Sequence, residues 1–242
     1  MNYTVITATL NSEKTIQRTI DSVTSQSIKP NQYIFIDGGS SDKTIDIINQ
    51  SVLESKNIKH KIIRQSNTKG IYPALNQAIK TNSSDIIFII HSDDWYEPDA
   101  AETVIKCFEN NPTADIALAP IFFHDLKKRT KKLARQKNFI LFPLLMPVMH
   151  PGAFVKKRAY EKYGLYDEIY EISSDYEFFY RCYKQGAKFC DIIKPLVNME
   201  LGGIANSNRA IARKETRKIA KKYCTIPFLP DIAYFARNIT GR

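Results

Sequence analysis

Short apolar runs alternate with helical patterns through the first half of this chain. This pattern predicts strands over residues 3–8, 32–37, 59–64, 85–91 and 116–122. Between the second and third runs, Ile45, Ile48 and Val52 recur at the spacing that places side chains on one face of a helix. Strands that alternate with helices are typical of strand–helix–strand units. The pattern therefore predicts an α/β fold with a mostly parallel central sheet.

The second half of the chain has a mixed pattern. Residues 127–137 are too charged to lie in a core, so we expect an exposed connection there. Beyond this segment, the pattern predicts helices over residues 156–163, 176–185 and 208–224, a strand over 188–193, and helical character from residue 231. These changes predict three parts, residues 1–125, 126–207 and 208–242, with the later parts rich in helix.

Charge separates the two halves of the chain. The 242 residues contain 35 Lys and Arg against 25 Asp and Glu, a net charge of +10. Residues 1–120 carry a net −3, whereas residues 121–242 carry a net +13. A basic half suits nucleic acid, an anionic membrane or a phosphorylated substrate, and charge alone leaves all three open. The 43% hydrophobic and 25% charged fractions exclude a disordered, collagen-like or coiled-coil chain.

Cysteines and apolar segments bear on where the protein works. The four cysteines lie far apart with no Cys-x-x-Cys pair, which favours a reducing compartment over a zinc knuckle or a disulfide framework. No charged leader or cleavage site opens the sequence, so we expect no signal peptide. The longest apolar run, residues 139–149, contains two prolines and is shorter than the roughly 18–20 residues that a membrane span needs. We therefore expect a cytoplasmic protein.

Residues 37–40, Asp-Gly-Gly-Ser, follow the second predicted strand. The ends of parallel strands are where open sheets bind ligands. The glycines allow close approach of the backbone to a ligand, and Asp37 suits a nucleotide base or a ribose hydroxyl. A plain turn before a helix explains the same residues. The chain has neither a dinucleotide-binding fingerprint nor a P-loop.

His91, Ser92, Asp93 and Asp94 follow the most apolar strand of the first half. Two adjacent carboxylates repel each other, so they are costly at the end of a buried strand unless a cation or hydrogen-bond donors satisfy them. A hard divalent ion such as Mg²⁺ or Mn²⁺, completed by waters and substrate phosphates, meets this need. The alternative is a solvated loop before the next helix.

Asp175 precedes the helix predicted over residues 176–185. One interpretation is that its side chain caps the helix N-terminus. The other is a general base, which takes the proton of an attacking alcohol and contributes roughly 10²–10⁴-fold to the rate. The local sequence does not decide between these two roles.

Taken together, these motifs resemble the family 2 glycosyltransferases of the GT-A fold, in particular bacterial members that build surface polysaccharides. The resemblance covers about residues 3–210, with six or more motifs in the family's order. The matching segments are residues 4–11, 33–44, 69–76, 91–96, 150–152, 163–168, 174–178 and 202–204. Each motif alone is weak, and their order and spacing make the resemblance specific. It implies a Rossmann-like nucleotide-binding fold.

The resemblance also implies roles for single residues. It assigns residues 1–125 to the nucleotide sugar, residues 126–207 to the acceptor and the catalytic base, and residues 208–242 to a basic and aromatic tail. On the donor side it implies nucleotide contacts for Thr7, Ala8, Thr9, Asp37, Lys69, Gly70 and Asp93, and a metal, Mn²⁺ or Mg²⁺, on Asp94. On the acceptor side it implies contacts for His150 and the base role for Asp175. Trp95 is a further acceptor candidate because an indole stacks on sugar rings, although wall packing explains it equally well.

The implied reaction moves a sugar from a nucleoside diphosphate, with UDP favoured, to a hydroxyl of a glycan acceptor with inversion. Acceptors in such pathways are often linked to undecaprenyl diphosphate, so the basic half would lie on the anionic inner face of the cytoplasmic membrane. Packing of the tail on the domain or on a second copy, as a homodimer, is the alternative. A nucleotidyltransferase and a nucleic-acid-binding protein remain open as other functions, although the latter does not explain the carboxylates.

Overall fold

The computed structural model describes residues 1–55, 57–65, 70–125, 128–201 and 208–240. Its central sheet has the strand order β10-β6-β9-β4-β1-β2-β3, with only β9 antiparallel to its neighbours. The predicted α/β fold with a mostly parallel sheet is therefore confirmed. The strands of this sheet are β1 (Tyr3–Thr9), β2 (Gln32–Asp37), β3 (Lys59–Arg64), β4 (Ile86–Ile89), β6 (Ile116–Leu118), β9 (Ala153–Lys156) and β10 (Phe189–Asp191).

Helices cover both faces of this sheet, so its inner strands β1, β2 and β4 are buried on both sides. One hydrophobic cluster contains Ile6 and Ile34, and the other contains Val5 and Phe35, so neighbouring residues of each strand face opposite cores. The helices α1 (Ile16–Thr24), α2 (Thr44–Glu54) and α4 (Ala100–Asn110) pack on one face, and α3 (Ile71–Lys80), α5 (Lys157–Tyr163), α6 (Ser174–Lys184) and α7 (Arg209–Tyr223) pack on the other.

A second, smaller sheet corrects one prediction. Its strand order is β5-β11-β7-β8, formed by β5 (Trp95–Tyr96), β7 (Ile121–Asp125), β8 (Thr130–Ala134) and β11 (Val197–Glu200). The single strand predicted over residues 116–122 is wrong, because β6 ends at Leu118 and β7 begins at Ile121 in the other sheet. Pro120 lies at the break and has no N–H to continue a ladder.

The basic segment predicted as a connection over residues 127–137 is exposed but not irregular. Lys128 and the following residues lead into β8, which pairs antiparallel with β7 at the edge of the second sheet. Lysines on such a strand discourage pairing with another chain, which accounts for a charged sequence in a strand. Leu126 and Lys127 lie outside the described residues.

The two predicted halves share one sheet. Strand β9, from the second half, lies between β4 and β6, and β10 extends the same sheet beyond β6. The predicted basic helix is confirmed as α7, and the tail forms α8 (Leu229–Thr240). Within the described residues, no helix has the length and apolar character needed to cross a membrane.

Gly152, directly before β9, lies against the backbone of Ala119, directly after β6. It ends the short 3₁₀ turn His150–Gly152, and its carbonyl accepts a hydrogen bond from the Ala119 N–H at 2.8 Å. A Cβ atom here would overlap the carbonyl oxygen of Ala119 and lie 2.9 Å from Ile121 Cγ2. A side chain therefore cannot enter without moving one strand away from the other.

We expect Gly152→Ala to lower the free energy of unfolding by about 1–3 kcal/mol, the usual cost of overpacking a core. The measurement is urea denaturation followed by circular dichroism. Gly38→Ala is the matched control, because a Cβ there would meet its nearest atoms, Gln65 Oε1 and Leu10 Cδ1, at an ordinary 3.5 Å. Equal unfolding midpoints for the two variants would contradict the close approach at Gly152.

Candidate active site

The carboxyl ends of β4, β1 and β2 lie side by side, and the predicted donor-side residues Thr9, Asp37 and Asp93 lie at or just after these ends. Thr9 at the end of β1 is the register partner of Asp37 at the end of β2. Gly38 N donates to Thr9 O at 2.9 Å, and Ile90 N, after β4, donates to Ile6 O at 3.0 Å. The loops that follow the three strands therefore start from one edge of the sheet.

Two threonine hydroxyls near the end of β1 differ in whether they have a hydrogen-bond partner. The hydroxyl of Thr7 lies 3.1 Å from the Tyr33 hydroxyl inside the core. Thr9 is also buried, but within the described residues its hydroxyl oxygen has no hydrogen-bond partner. Ala8, between them, is partly buried. Of these three predicted nucleotide contacts, Thr9 is the one whose side chain has an unused polar atom.

Asp37 holds the loop that follows β2. Its Oδ2 accepts hydrogen bonds from Gly39 N at 2.9 Å and Ser40 N at 3.0 Å, and Gly39 adopts a φ of +99°. The turn interpretation of this motif is thus correct, and the nucleotide contact of Asp37 stays a prediction. Gly70, at a φ of +106°, precedes α3, whereas Lys69 and residues 202–204 lie outside the described residues.

Asp94 is a buried carboxylate with one unsatisfied oxygen. Its side chain is only 1% exposed, and Oδ1 accepts a hydrogen bond from Glu200 N at 3.1 Å. Its Oδ2 has no partner among the described residues. Burial, and then the neighbouring charge of Asp93, raises the pKa of Asp94 well above its usual range. Such a group favours a proton or a cation at Oδ2.

The carboxylates of Asp94 and Asp93 are ligands that fit Mg²⁺ or Mn²⁺. Asp94 offers a free carboxylate oxygen, and the half-buried Asp93 lies beside it in sequence. The described part of the chain holds no group of three or more His, Cys, Asp and Glu side chains arranged for a metal. A small hard cation held by one or two carboxylates and completed by substrate phosphates needs no such group.

Arg18 connects this loop to the second sheet and to Trp95. Its Nη2 donates to Asp93 O and to Glu200 Oε2, both at 2.7 Å. Its guanidinium lies 3.9 Å from the centre of the Trp95 ring, and the His124 ring lies 4.7 Å from Trp95. The packing interpretation of Trp95 is therefore observed, and its contact with an acceptor sugar stays a prediction.

Asp175 lies in the first turn of α6, close to α3. Its Oδ1 accepts hydrogen bonds from Tyr176 N at 2.8 Å and from the Tyr72 hydroxyl at 3.1 Å. The N-cap position belongs to Ser173, so the interpretation of Asp175 as the helix cap is wrong. Burial raises the pKa of Asp175 above its ordinary value. A shift in this direction moves a carboxyl towards the range in which general bases work.

His150 lies between Asp175 and His91, the first residue of the loop that carries Asp93 and Asp94. Its Nδ1 lies 4.0 Å from Asp175 Oδ2, its Nε2 lies 3.2 Å from the Tyr166 hydroxyl, and its ring is 5.9 Å from the ring of His91. Burial lowers the pKa of His150 to about 4, so this histidine is uncharged at neutral pH. Burial and the nearby His150 lower the pKa of His91 to about 4 as well. The loop after β4 and the start of α6 therefore meet at two neutral imidazoles.

Sequence reasoning assigned no role to Arg18, Tyr72 or His91, although all three touch predicted site residues. His91 belongs to the motif of residues 91–94, and its position directly after a buried strand is a local sign that it could lie in the site. Arg18 and Tyr72 stand 75 and 103 residues from their partners Asp93 and Asp175. Nothing local in the sequence marks such contacts.

Comparisons with known proteins identify the family and the fold. A family model described as "Glycosyl transferase family 2" matches residues 4–170. A "PGL/p-HBAD biosynthesis glycosyltransferase" of Mycobacterium bovis is 24% identical over 212 residues, which cover 85% of this chain and 79% of that protein. The region matched by the family model contains every described donor-side residue and His150, and it ends at residue 170, before Asp175.

Two solved structures have a similar fold, each with a TM-score of 0.73 and 16% sequence identity. One is Staphylococcus aureus TarS 1–349 in complex with UDP-GlcNAc, covering 99% of this chain and 73% of that one. The other is the mannosyltransferase PcManGT from Pyrobaculum calidifontis in complex with GDP-Man and Mn²⁺, covering 98% and 69%. This chain spans only 44% of a longer TarS chain. The likeness shows that the fold is GT-A.

We expect the free energy of unfolding to fall as the pH drops from about 6.5 towards 4, in part because of His150. The unfolded chain takes up a proton on this histidine near pH 6.5, whereas the folded chain does so only near its lowered pKa of about 4. In His150→Gln this uptake is lost, so the stability curve should be flatter in this window by up to about 1.4 kcal/mol per pH unit.

The measurement is urea denaturation of both proteins at half-unit steps from pH 8 to pH 4. At pH 8 the histidine is neutral in both states, so any difference there reports packing alone and serves as the reference. Parallel curves below pH 6.5 would show that His150 titrates normally in the folded protein.

Proposed function

The chain belongs to glycosyl transferase family 2, and we propose on that basis that it moves a sugar from a nucleoside-diphosphate donor to a hydroxyl of a glycan acceptor with inversion. One observation supports the proposal: His91, in the loop that also carries Asp93 and Asp94, lies beside His150, and His150 lies beside Asp175. The family match favours glycosyl transfer over the nucleotidyltransferase and nucleic-acid-binding alternatives.

The donor side would be formed by the loops after β1, β2 and β4. Thr9 offers a buried hydroxyl without a partner among the described residues, and Gly70 allows close approach of the backbone. Thr7, Ala8, Asp37 and Lys69 complete the proposed nucleotide contacts. UDP is the nucleotide that the family resemblance favours; the similarly folded TarS binds UDP-GlcNAc and the similarly folded PcManGT binds GDP-Man.

A divalent cation would be held by Asp94, with Asp93 directed to the ribose. When bound, Mn²⁺ or Mg²⁺ stabilises the negative charge that grows on the departing diphosphate by several kcal/mol. The unsatisfied Oδ2 of Asp94 supports this assignment, and so does the Mn²⁺ complex of PcManGT. Arg18 keeps the Asp93 backbone in place through its hydrogen bond to the carbonyl oxygen.

Asp175 is the proposed general base. Its Oδ1 is occupied by Tyr72 and Tyr176, so Oδ2 is the oxygen that remains to take the proton of the acceptor hydroxyl. The hydroxyl oxygen then attacks the anomeric carbon as the diphosphate leaves from the opposite face. A single displacement of this kind inverts the configuration of that carbon. His150, beside Oδ2, would contact the acceptor, and Trp95 is the further candidate.

The C-terminal helices support a membrane-held acceptor. Asp231 of α8 pairs with Arg217 and Lys221 of α7 at 2.6 and 2.9 Å, which fixes α8 against the basic helix. Phe228, Ile232 and Phe235 recur at helical spacing and are 74%, 62% and 57% exposed. An exposed apolar stripe beside a basic helix suits an interface with anionic lipid.

We therefore propose that this surface binds the inner face of the cytoplasmic membrane. The acceptor would be a lipid-linked glycan, with undecaprenyl diphosphate as its carrier. The diphosphate of such a carrier and the anionic headgroups around it would both meet positive charge on α7. Contact between two copies through the same stripe, a homodimer, is the competing use of this surface.

We expect Asp175→Asn to reduce transfer at least about 100-fold, because the amide cannot accept the proton. Binding of UDP in the presence of Mn²⁺ should stay within about twofold of wild type, since Asp175 is not among the proposed donor contacts. Asp94→Asn is the matched variant, with the same chemical change. It should weaken Mn²⁺-dependent UDP binding by at least tenfold.

Calorimetric titration with UDP, with and without Mn²⁺, measures binding, and mass spectrometry of products from a panel of nucleotide sugars measures transfer. Turnover retained in Asp175→Asn would remove the base assignment. UDP binding that is equally Mn²⁺-dependent in Asp94→Asn would remove the metal assignment. Either result leaves the other assignment intact.

We expect the triple variant Phe228→Gln, Ile232→Gln, Phe235→Gln to lose sedimentation with vesicles that contain phosphatidylglycerol, because its apolar stripe is gone. Its control is Ile28→Gln, Leu53→Gln, Ile193→Gln, three exposed apolar positions outside the C-terminal helices, which should sediment like wild type. Unchanged sedimentation of the tail variant would sink the membrane proposal. Loss of a dimer in that variant, seen by light scattering, would favour the homodimer instead.

A further inference from the structure

One carboxylate of the basic helix α7 binds three consecutive backbone amides in front of α6. Glu215 Oε1 accepts a hydrogen bond from Glu171 N at 2.7 Å. Its Oε2 accepts hydrogen bonds from Ile172 N at 3.0 Å and from Ser173 N at 2.8 Å. Successive N–H groups that converge on one anion form a rigid, charge-assisted contact. The segment that leads into the Asp175 turn is therefore held from another helix.

The held segment leads directly to the proposed base. The carbonyl oxygen of Ile172 accepts a hydrogen bond from the Tyr72 hydroxyl at 2.6 Å, and the same hydroxyl lies 3.1 Å from Asp175 Oδ1. A phenol has one proton, so these two oxygens compete for it. The position of the Ile172 peptide thus decides how much of this proton Asp175 receives.

We propose that Glu215 is a positioning residue for the catalytic base: by fixing residues 171–173, it sets both the place of Asp175 and its share of the Tyr72 proton. The inference rests on the proposed role of Asp175. It gives α7 a function within the active site, separate from any contact with lipid.

Helix α7 is anchored to α6 at a second point, which keeps Glu215 in register. Tyr223, two helical turns after Glu215, donates its hydroxyl proton to Glu177, two residues after Asp175. Ile219, between the two contacts, is fully buried in the core. Residues at positions i, i+4 and i+8 lie on one face of a helix, so a single face of α7 carries both contacts.

The charged and titratable groups around Asp175 come from several elements. Tyr72 of α3, the uncharged His91 after β4, and His150 and Tyr166 before α6 all face it or interact with it electrostatically. Glu215 acts on Tyr72 through its negative charge. Removing this charge and freeing the Ile172 peptide both favour donation from Tyr72 to Asp175, which stabilises its charged form.

The test compares Glu215→Gln with Glu171→Gln. Glu171→Gln is the control: it also removes one carboxylate, this time from residues 171–173. The Glu171 side chain is exposed, and the variant keeps the backbone N–H that Glu215 binds. For Glu215→Gln we expect kcat to fall at least about tenfold with the donor KM within about twofold, the sign of a misplaced catalytic group. The acid limb of the kcat–pH profile should move to lower pH. In Tyr72→Phe, which loses the donor to Asp175, that limb should move to higher pH.

Hydrogen exchange gives a readout that is independent of turnover. The amides of Ile172 and Ser173 should exchange at least about tenfold faster in Glu215→Gln, with the rest of α6 unchanged. Where Glu215→Gln proves too unstable to assay, Glu215→Asp replaces it, because the shorter side chain keeps the charge but cannot span three amides.

A wild-type kcat and pH profile in the Glu215 variant would overturn the inference, and so would unchanged amide exchange. If instead Asp175→Asn remains active, the base assignment fails, and the exchange result still reports whether Glu215 orders the segment. A drop in kcat of equal size in Glu171→Gln would assign the effect to general charge rather than to positioning.

Discussion

Charge that is taken out of water has to be balanced, and this constraint governs the edge of the sheet where β1, β2 and β4 end. Asp37 uses the amides of its own loop, and Asp175 uses a phenol and an amide. Burial alone would raise the pKa of Glu177, but hydrogen bonds from Arg181 and Tyr223 hold this pKa below its usual value. Asp94 alone among these four keeps a buried oxygen without a partner in the described part of the chain. The exception is informative because the other three carboxylates are satisfied by hydrogen bonds.

The antiparallel strand β9 brings the second half of the chain to this edge. It lies between β4 and β6, so the turn before it, His150–Gly152, is placed beside the end of β4. Gly152 permits the close approach of this turn to Ala119, directly after β6. His150 can therefore lie between His91 and Asp175, so the loop that carries Asp94 comes close to the start of α6 although about 80 residues of sequence separate Asp94 from Asp175.

Patterns of local origin were predictable from the sequence, and contacts between distant segments were not. The strands β2 and β3 match their predicted bounds because polar, turn-forming residues follow each of them. The prediction over residues 116–122 failed because Pro120 moves the chain from one sheet to another while the run stays apolar. Residues 127–137 were misjudged because edge strands tolerate charge. Arg18, Tyr72 and Glu215 have no local signal, since their partners are set by how helices pack on the sheet.

The positive charge of the second half is arranged unevenly around helix α7. Residues 121–242 carry a net +13, and α7 is the most basic element among the described residues, with Glu215 as the one acidic residue between Arg209 and Tyr223. On a surface meant only for anionic lipid or phosphate, an acid in the middle of the helix is unfavourable. Glu215 instead shares a helix face with buried Ile219, and it meets the amides of residues 171–173. Lys214 and Lys218, which flank it by one and three positions, are exposed. One helix can thus offer positive charge outward and a single carboxylate inward, so binding at its outer face need not disturb the group that holds the base.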